Sequence, residues 1–193
     1  MAVNLSKGEK ISLEKAGGAG LSKVALGLGW GMRQEKGWFG REKEVEVDLD
    51  ASCLLFSGNK AVDVVWFRQL QSRCGAIRHS GDDRSGGGNS ADNEVISVDL
   101  SHLPGQVDTL IFTVNSFLND SFSGIPNATC RLLDAATGRE LARFNLSLDG
   151  GNYTGMVMAK LYRDGDAWHM QAIGDKGYGR TFDQMGELIT RHL

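Results

Sequence analysis

A chain of 193 residues, 41% hydrophobic and 23% charged, with a net charge of −3, can bury a core without a disulfide or structural metal to hold it. The near balance of charge, with no cluster of lysines or arginines, argues against a surface built to neutralise nucleic-acid phosphates. No run approaches the ~20 apolar residues that span a bilayer, and Met1 to Lys10 lacks the apolar stretch of a secretory signal, so a cytoplasmic protein is expected.

Taken in chain order, the apolar residues recur with the period of two that marks half-buried strands. Val24 to Trp30 is a glycine-rich strand. In Val45 to Ala51 the apolar Val45, Val47, Leu49 and Ala51 point one way and Glu44, Glu46, Asp48 and Asp50 the other. Ala61 to Phe67 and Glu94 to Leu100 are further strands, and Val107 to Val114 is a more deeply buried one. Thr129 to Leu146 reads as a hairpin around Ala136-Thr137-Gly138, and Met156 to Ile173 as another with Asp164-Gly165 at its turn. Only the end of the chain reads as helix: Phe182, Met185, Ile189 and Leu193 recur at three- and four-residue spacing. Glycine, at 26 residues against 2 prolines, supplies the frequent tight turns of an all-β domain. The expected fold is therefore an all-β-dominated sandwich with a short C-terminal helix, in one domain covering residues 1–193.

Two stretches carry candidate chemistry. The loop from Gly81 to Glu94 holds Asp82, Asp83, Asp92 and Glu94, with Asn89 and Asn93 adding amide oxygens and Gly86, Gly87 and Gly88 allowing a tight fold. Hard cations such as calcium take six to eight oxygens of these types. The spacing is not that of an EF-hand, and a solvated acidic loop explains the composition equally well. The second stretch is the acidic face of Val45 to Ala51. Four carboxylates in a row repel one another, so either basic neighbours or a bound metal must offset them. A solvent-facing strand with lysine or arginine opposite is the simpler reading of that row.

Catalytic readings find less support. His79, His102, His169 and His192 are scattered, in none of the spacings of a zinc site, and read as surface or edge residues. There is no G-x-S-x-G, and the glycines of Gly17 to Gly20 and Gly27 to Gly31 match neither phosphate-binding fingerprint. Cys53, Cys74 and Cys130 are odd in number and widely spaced, which suits reduced thiols in a reducing compartment.

Several segments, in one order, resemble the TerD family of tellurite-resistance and stress proteins, and within it the TerZ-type members. They are Leu5 to Leu13, Ala25 to Trp30, Val47 to Ser52, Gly81 to Asp83 with Asp92 to Glu94, Ile125 to Ala128, Glu140 to Leu146 and Lys160 to Trp168. The resemblance implies a β-sandwich that binds Ca2+. Carried over by position, the family's D-x-D falls on Asp48 and Asp50, and its loop acids on Asp82, Asp83, Asp92 and Glu94. With Asn89 and Asn93 these make the expected metal ligands. The loop departs from the family pattern: Asp83 stands for an Asn, Asn93 for an Asp and Ala91 for a Gly, at nearly constant charge. The resemblance further implies a non-enzymatic binding or scaffold module in a stress-response complex. Its partners would be other tellurite-resistance and stress proteins, some of them membrane-associated. The competing class is an enzyme or small-ligand receptor acting on tellurium oxyanions or nucleotides. Three dispersed cysteines without a cofactor fingerprint speak against a reductase.

Overall fold

The computed structural model describes residues 3–4, 10–12, 21–36, 41–84 and 92–193. Among these residues two six-stranded sheets and one two-stranded sheet are formed. The first sheet runs in the order β1 (Val3–Asn4), β12 (Glu140–Asn145), β11 (Thr129–Asp134), β3 (Lys23–Gly29), β9 (Glu94–Asp99) and β8 (Ile77–His79). The second runs β2 (Lys10–Ser12), β14 (Ala167–Gly177), β13 (Gly155–Asp164), β10 (Thr109–Ser116), β6 (Leu49–Ser57) and β7 (Lys60–Val65). Among the described residues, the strands β4 (Arg33–Lys36) and β5 (Glu42–Val45) pair only with each other.

The two large sheets close on one apolar core. Leu26 and Leu28 of β3, Ile96 and Val98 of β9, and Cys130 and Leu132 of β11 pack with Leu49, Ala51, Cys53 and Leu55 of β6 and Leu110, Phe112 and Val114 of β10. Each set alternates along its strand, so the period-two reading of the sequence holds for both faces of the sandwich. The hairpins fall where expected, β11 with β12 and β13 with β14.

The strand β6 is buried along nearly its whole length, because both of its faces are covered. Leu54 and Phe56 alternate with the core residues and form a second cluster with Ile111, Val157 and Ile173. Met185 and Ile189 close this cluster from outside. They lie on the C-terminal segment, a 3-10 turn Phe182–Met185 leading into a one-turn helix Gly186–Thr190. The three- and four-residue spacing at the chain end thus marks a lid on the outer face of the second sheet.

One expectation is corrected. Val45 to Ala51 is not a single strand with one acidic face. The strand β5 ends at Val45, residues 46–48 leave any ladder, and β6 begins at Leu49. The chain changes pairing partner in between, from β4 to β10 and β7. Glu44 and Glu46 are exposed, whereas Asp48 and Asp50 are buried at 5% and 4% exposure.

Candidate metal centre

The point where β6 enters its sheet collects the acids. The Asp48 carbonyl accepts the Phe117 N–H at 2.9 Å, and Asp50 pairs with Asn115 of β10. Both aspartates are therefore held on paired backbone. From the opposite sheet, Glu94 opens β9 fully buried, and its Oε2 accepts the Ala51 N–H at 2.9 Å. The third acid comes from the loop after β8. Gly81 adopts φ +117, a backbone conformation open essentially to glycine. Its N–H donates to His79 Nδ1 at 3.1 Å. The chain so turned brings Asp82 to the two strand acids: one carboxylate oxygen from each of Asp48, Asp50 and Asp82 lies within 4.8 Å of the others. Oxygens bound to one calcium at 2.3–2.6 Å lie at most about 5 Å apart, so the trio matches the span of a single ion.

The electrostatics of this group are unbalanced. Burial, followed by Asp82, pushes the Asp48 carboxyl up to about 6, with Arg84 opposing the rise. Burial, followed by Glu94 and then Asp48, pushes Asp50 up to about 8. Asp48 Oδ1 and Asp50 Oδ2 are buried without a hydrogen-bond partner among the described residues. Buried carboxylate oxygens left without a donor are costly. A hard cation is the partner that suits them, so the donor set fits calcium.

The other expected ligands are placed differently. Asp92 is turned onto Arg131, with Oδ1 and Oδ2 each accepting a guanidinium N–H at 2.7 Å. Its carboxylate lies across the backbone of β3, where a Cβ on Gly27 would come within 2.5 Å of Asp92 Cγ. Arg131 also reaches Glu140, which pairs with Arg143 through two hydrogen bonds of 2.8 and 2.6 Å. Asn93 knits the loop to β3: its Oδ1 accepts the Trp30 N–H at 2.9 Å and its Nδ2 donates to Asp83 Oδ2 at 3.0 Å. The Asp83 N–H in turn contacts Glu94 Oε1 at 3.4 Å. Of these, Glu94 lies close enough to raise the carboxyls of Asp50 and Asp48. Asn89 lies outside the described residues.

The sequence reading missed His79. It lies on the edge strand β8, as one of the two expected settings had it, but is buried there. Its Nδ1 accepts from Gly81, which leaves Nε2 to carry the ring proton, and Nε2 lies 3.3 Å from Glu94 Oε2. The alternation Ile77-Arg78-His79, placing Ile77 and His79 on one side beside the acidic loop, is the pattern that could have revealed it. Arg131 was missed as well. Its partner Asp92 is 39 residues away, and no local pattern connects the two.

The TerD domain model matches residues 1–191. The tellurium resistance protein TerZ of Serratia marcescens is 45% identical over 186 residues, covering 95% of this chain and 94% of its own length. The stress response protein SCP2 of Bacillus subtilis (strain 168) is 34% identical over 204 residues, with both chains fully covered. The crystal structure of a TerD homologue from Streptomyces coelicolor A3(2) superposes with a TM-score of 0.72 over 86% of this chain and 96% of that one, at 19% identity. That structural likeness carries the fold alone. With the domain match and the relatives, it identifies the chain as a member of the TerD family of tellurium-resistance and stress-response proteins.

Proposed function

We propose that this protein is a calcium-binding module of the stress response, with Asp48, Asp50 and Asp82 as the core of its calcium site. The observation that carries this reading is the pair of buried, partnerless oxygens on Asp48 and Asp50, facing a third carboxylate at the spacing of one ion. Asp83, Asn93 and Glu94 stand next to the trio and would complete or buttress the shell. Calcium bound there would satisfy the carboxylates and tie the β8–β9 loop to the start of β6, which belong to opposite sheets. Such a tie suits a module that presents a calcium-dependent surface to other stress proteins in the cytoplasm. Names among the relatives point to tellurium resistance and stress response, and the role comes to this chain by that likeness.

The choice of binding module over reductase rests on the thiols. Cys53 and Cys130 are fully buried, and burial pushes both thiols far above their ordinary range. A buried, protonated thiol is a poor nucleophile. Cys74 is exposed, but it is a single thiol with Ser72 Oγ as its neighbour at 3.3 Å.

The test is a calcium titration of chelator-stripped protein, by calorimetry and by thermal melting. A ligand that binds only the native state adds about 2.7 kcal/mol at a hundredfold excess over Kd. A clear rise in melting temperature with calcium, smaller with magnesium, is expected. Asp50→Asn should weaken binding at least tenfold, about 1.4 kcal/mol. Identical melts in chelator and in millimolar calcium would defeat the reading.

A further inference from the structure

An aromatic cleft that none of Asp48, Asp50 and Asp82 lines includes Phe117, whose backbone N–H donates to the Asp48 carbonyl. It has a volume of about 380 Å³ and is lined by Trp66, Arg68, Phe117, Arg180, Phe182 and Asp183, among others, within the ~300–1,000 Å³ range of small-molecule sites. Trp66 meets Phe182 edge to face at 5.1 Å, and Phe67 meets Phe117 at 5.7 Å. Two guanidinium groups lie on these rings. That of Arg68 is 5.4 Å from the Trp66 ring and 5.2 Å from the Phe67 ring, and that of Arg180 is 4.9 Å from the Phe117 ring.

The cleft is preformed. Trp66 and Gln69 exchange backbone hydrogen bonds of 3.1 and 2.9 Å across the turn that carries Arg68. The Gln69 side chain is tied to Asp63 at 2.9 Å. Arg180 donates its backbone N–H to Gln184 Oε1 at 2.8 Å and its Nε–H to the Phe117 carbonyl at 2.7 Å.

The charge of the cleft is not spent. Neither Arg68 nor Arg180 forms an ion pair among the described residues. With the Arg180 Nε–H taken by the Phe117 carbonyl, its Nη groups and the Arg68 fork remain as the donors that can take an anion. Asp183 is the one acid among the lining residues, and it accepts a hydrogen bond from Thr181 Oγ1. Two cations against one anion leave a positive spot on a chain whose net charge is −3. Flat apolar walls favour a flat ring, and forked donors favour phosphate. The small volume and the negative chain as a whole favour a free molecule over a nucleic-acid strand.

We infer that this cleft binds a small phosphorylated aromatic or heteroaromatic molecule of mononucleotide size, with its ring against Trp66, Phe117 and Phe182 and its phosphate between Arg68 and Arg180. The site does not rest on the calcium reading. Its test is a calorimetric titration of the whole chain with adenosine monophosphate, in chelator so that no metal at the acids can recruit the phosphate. Saturable binding is expected, with adenosine alone and inorganic phosphate alone each at least about tenfold weaker, since each lacks one half of the contacts. Arg68→Gln changes an exposed side chain that makes no hydrogen bond or ion pair among the described residues and should weaken binding about tenfold. Arg180→Gln should do the same, and its melting curve shows whether Phe117 has stayed in place. Absence of saturable binding up to millimolar nucleotide would overturn the assignment. So would affinity unchanged by Arg68→Gln, inorganic phosphate binding as tightly as the nucleotide, or a single-stranded oligonucleotide binding more tightly per nucleotide.

Discussion

Two groups of acids flank β3 and β9, and they are treated in opposite ways. Asp92 and Glu140 are matched by Arg131 and Arg143 in a closed network of guanidinium–carboxylate pairs. The partner guanidiniums hold the Glu140 carboxyl below its ordinary range, with Arg143 contributing most. Asp48, Asp50 and Asp82 make no ion pair among the described residues, and two of the three carboxyls are driven upward. Both groups are acidic, and Asp82 of one lies in the same loop as Asp92 of the other. What separates them is whether a guanidinium pairs with the acids directly; Arg84 acts on Asp48 through its charge but forms no ion pair with it among the described residues. An acidic cluster becomes a candidate metal centre where the protein has withheld that pairing.

The largest expected effect comes from breaking the balanced group. Arg131→Met takes from Asp92 both of its guanidinium hydrogen bonds and from Glu140 one of its contacts, at a half-buried site. Stability should fall by about 3 kcal/mol, the low end for removing one member of a buried pair. Chemical denaturation reads this directly. A loss below 0.5 kcal/mol would mean that the two groups differ less than their geometry suggests.

The next effect concerns the space Asp92 occupies. In Gly27→Ala the new methyl meets a carboxylate that two hydrogen bonds hold in place, so about 2 kcal/mol should be lost. In the double variant with Asp92→Ala the two costs should fall short of their sum. Strict additivity of the two would show that Gly27 is needed for some other reason.

A third effect separates the groups by pH. The folded carboxyls of Asp48 and Asp50 titrate near 6 and 8, above an unfolded value near 3.8. Between about pH 4 and 8 the native state therefore holds more protons than the unfolded chain, and this site's contribution to stability falls as pH rises. In chelator, melting temperature should decline across that window. Asp50→Asn should flatten the decline and raise stability at pH 8. Saturating calcium should also remove it, because the ion replaces the protons. A wild-type protein in chelator whose stability rises steadily from pH 5 to 8 would contradict the assignment.

Much of the architecture was legible because strands bury alternate residues. Leu26 and Leu28, Ile96 and Val98, and Leu110, Phe112 and Val114 declare their inward faces through spacing alone. That same rule misled at Val45 to Ala51. Alternation persists through a change of partner strand, so a run that leaves one ladder and joins another looks unbroken. The site was legible in its acids, but their division of labour was not. Asp92 and Asp82 belong to one loop in sequence, and only the fold shows that Arg131 of β11 claims the first and leaves the second. His79 was passed over for a related reason. Its alternation with Ile77 was there to read, but it spans only the three residues of an edge strand.

Trp30 touches both halves of this arrangement. Its indole N–H donates to the Val47 carbonyl at 2.7 Å, one residue before Asp48, while its backbone N–H is held by Asn93 from the acidic loop. One side chain thus carries two magnetic probes, each fixed to a different wall of the candidate centre. A heteronuclear correlation spectrum would show whether occupancy of the acids moves the strand wall, the loop wall or both, resolved at a single residue.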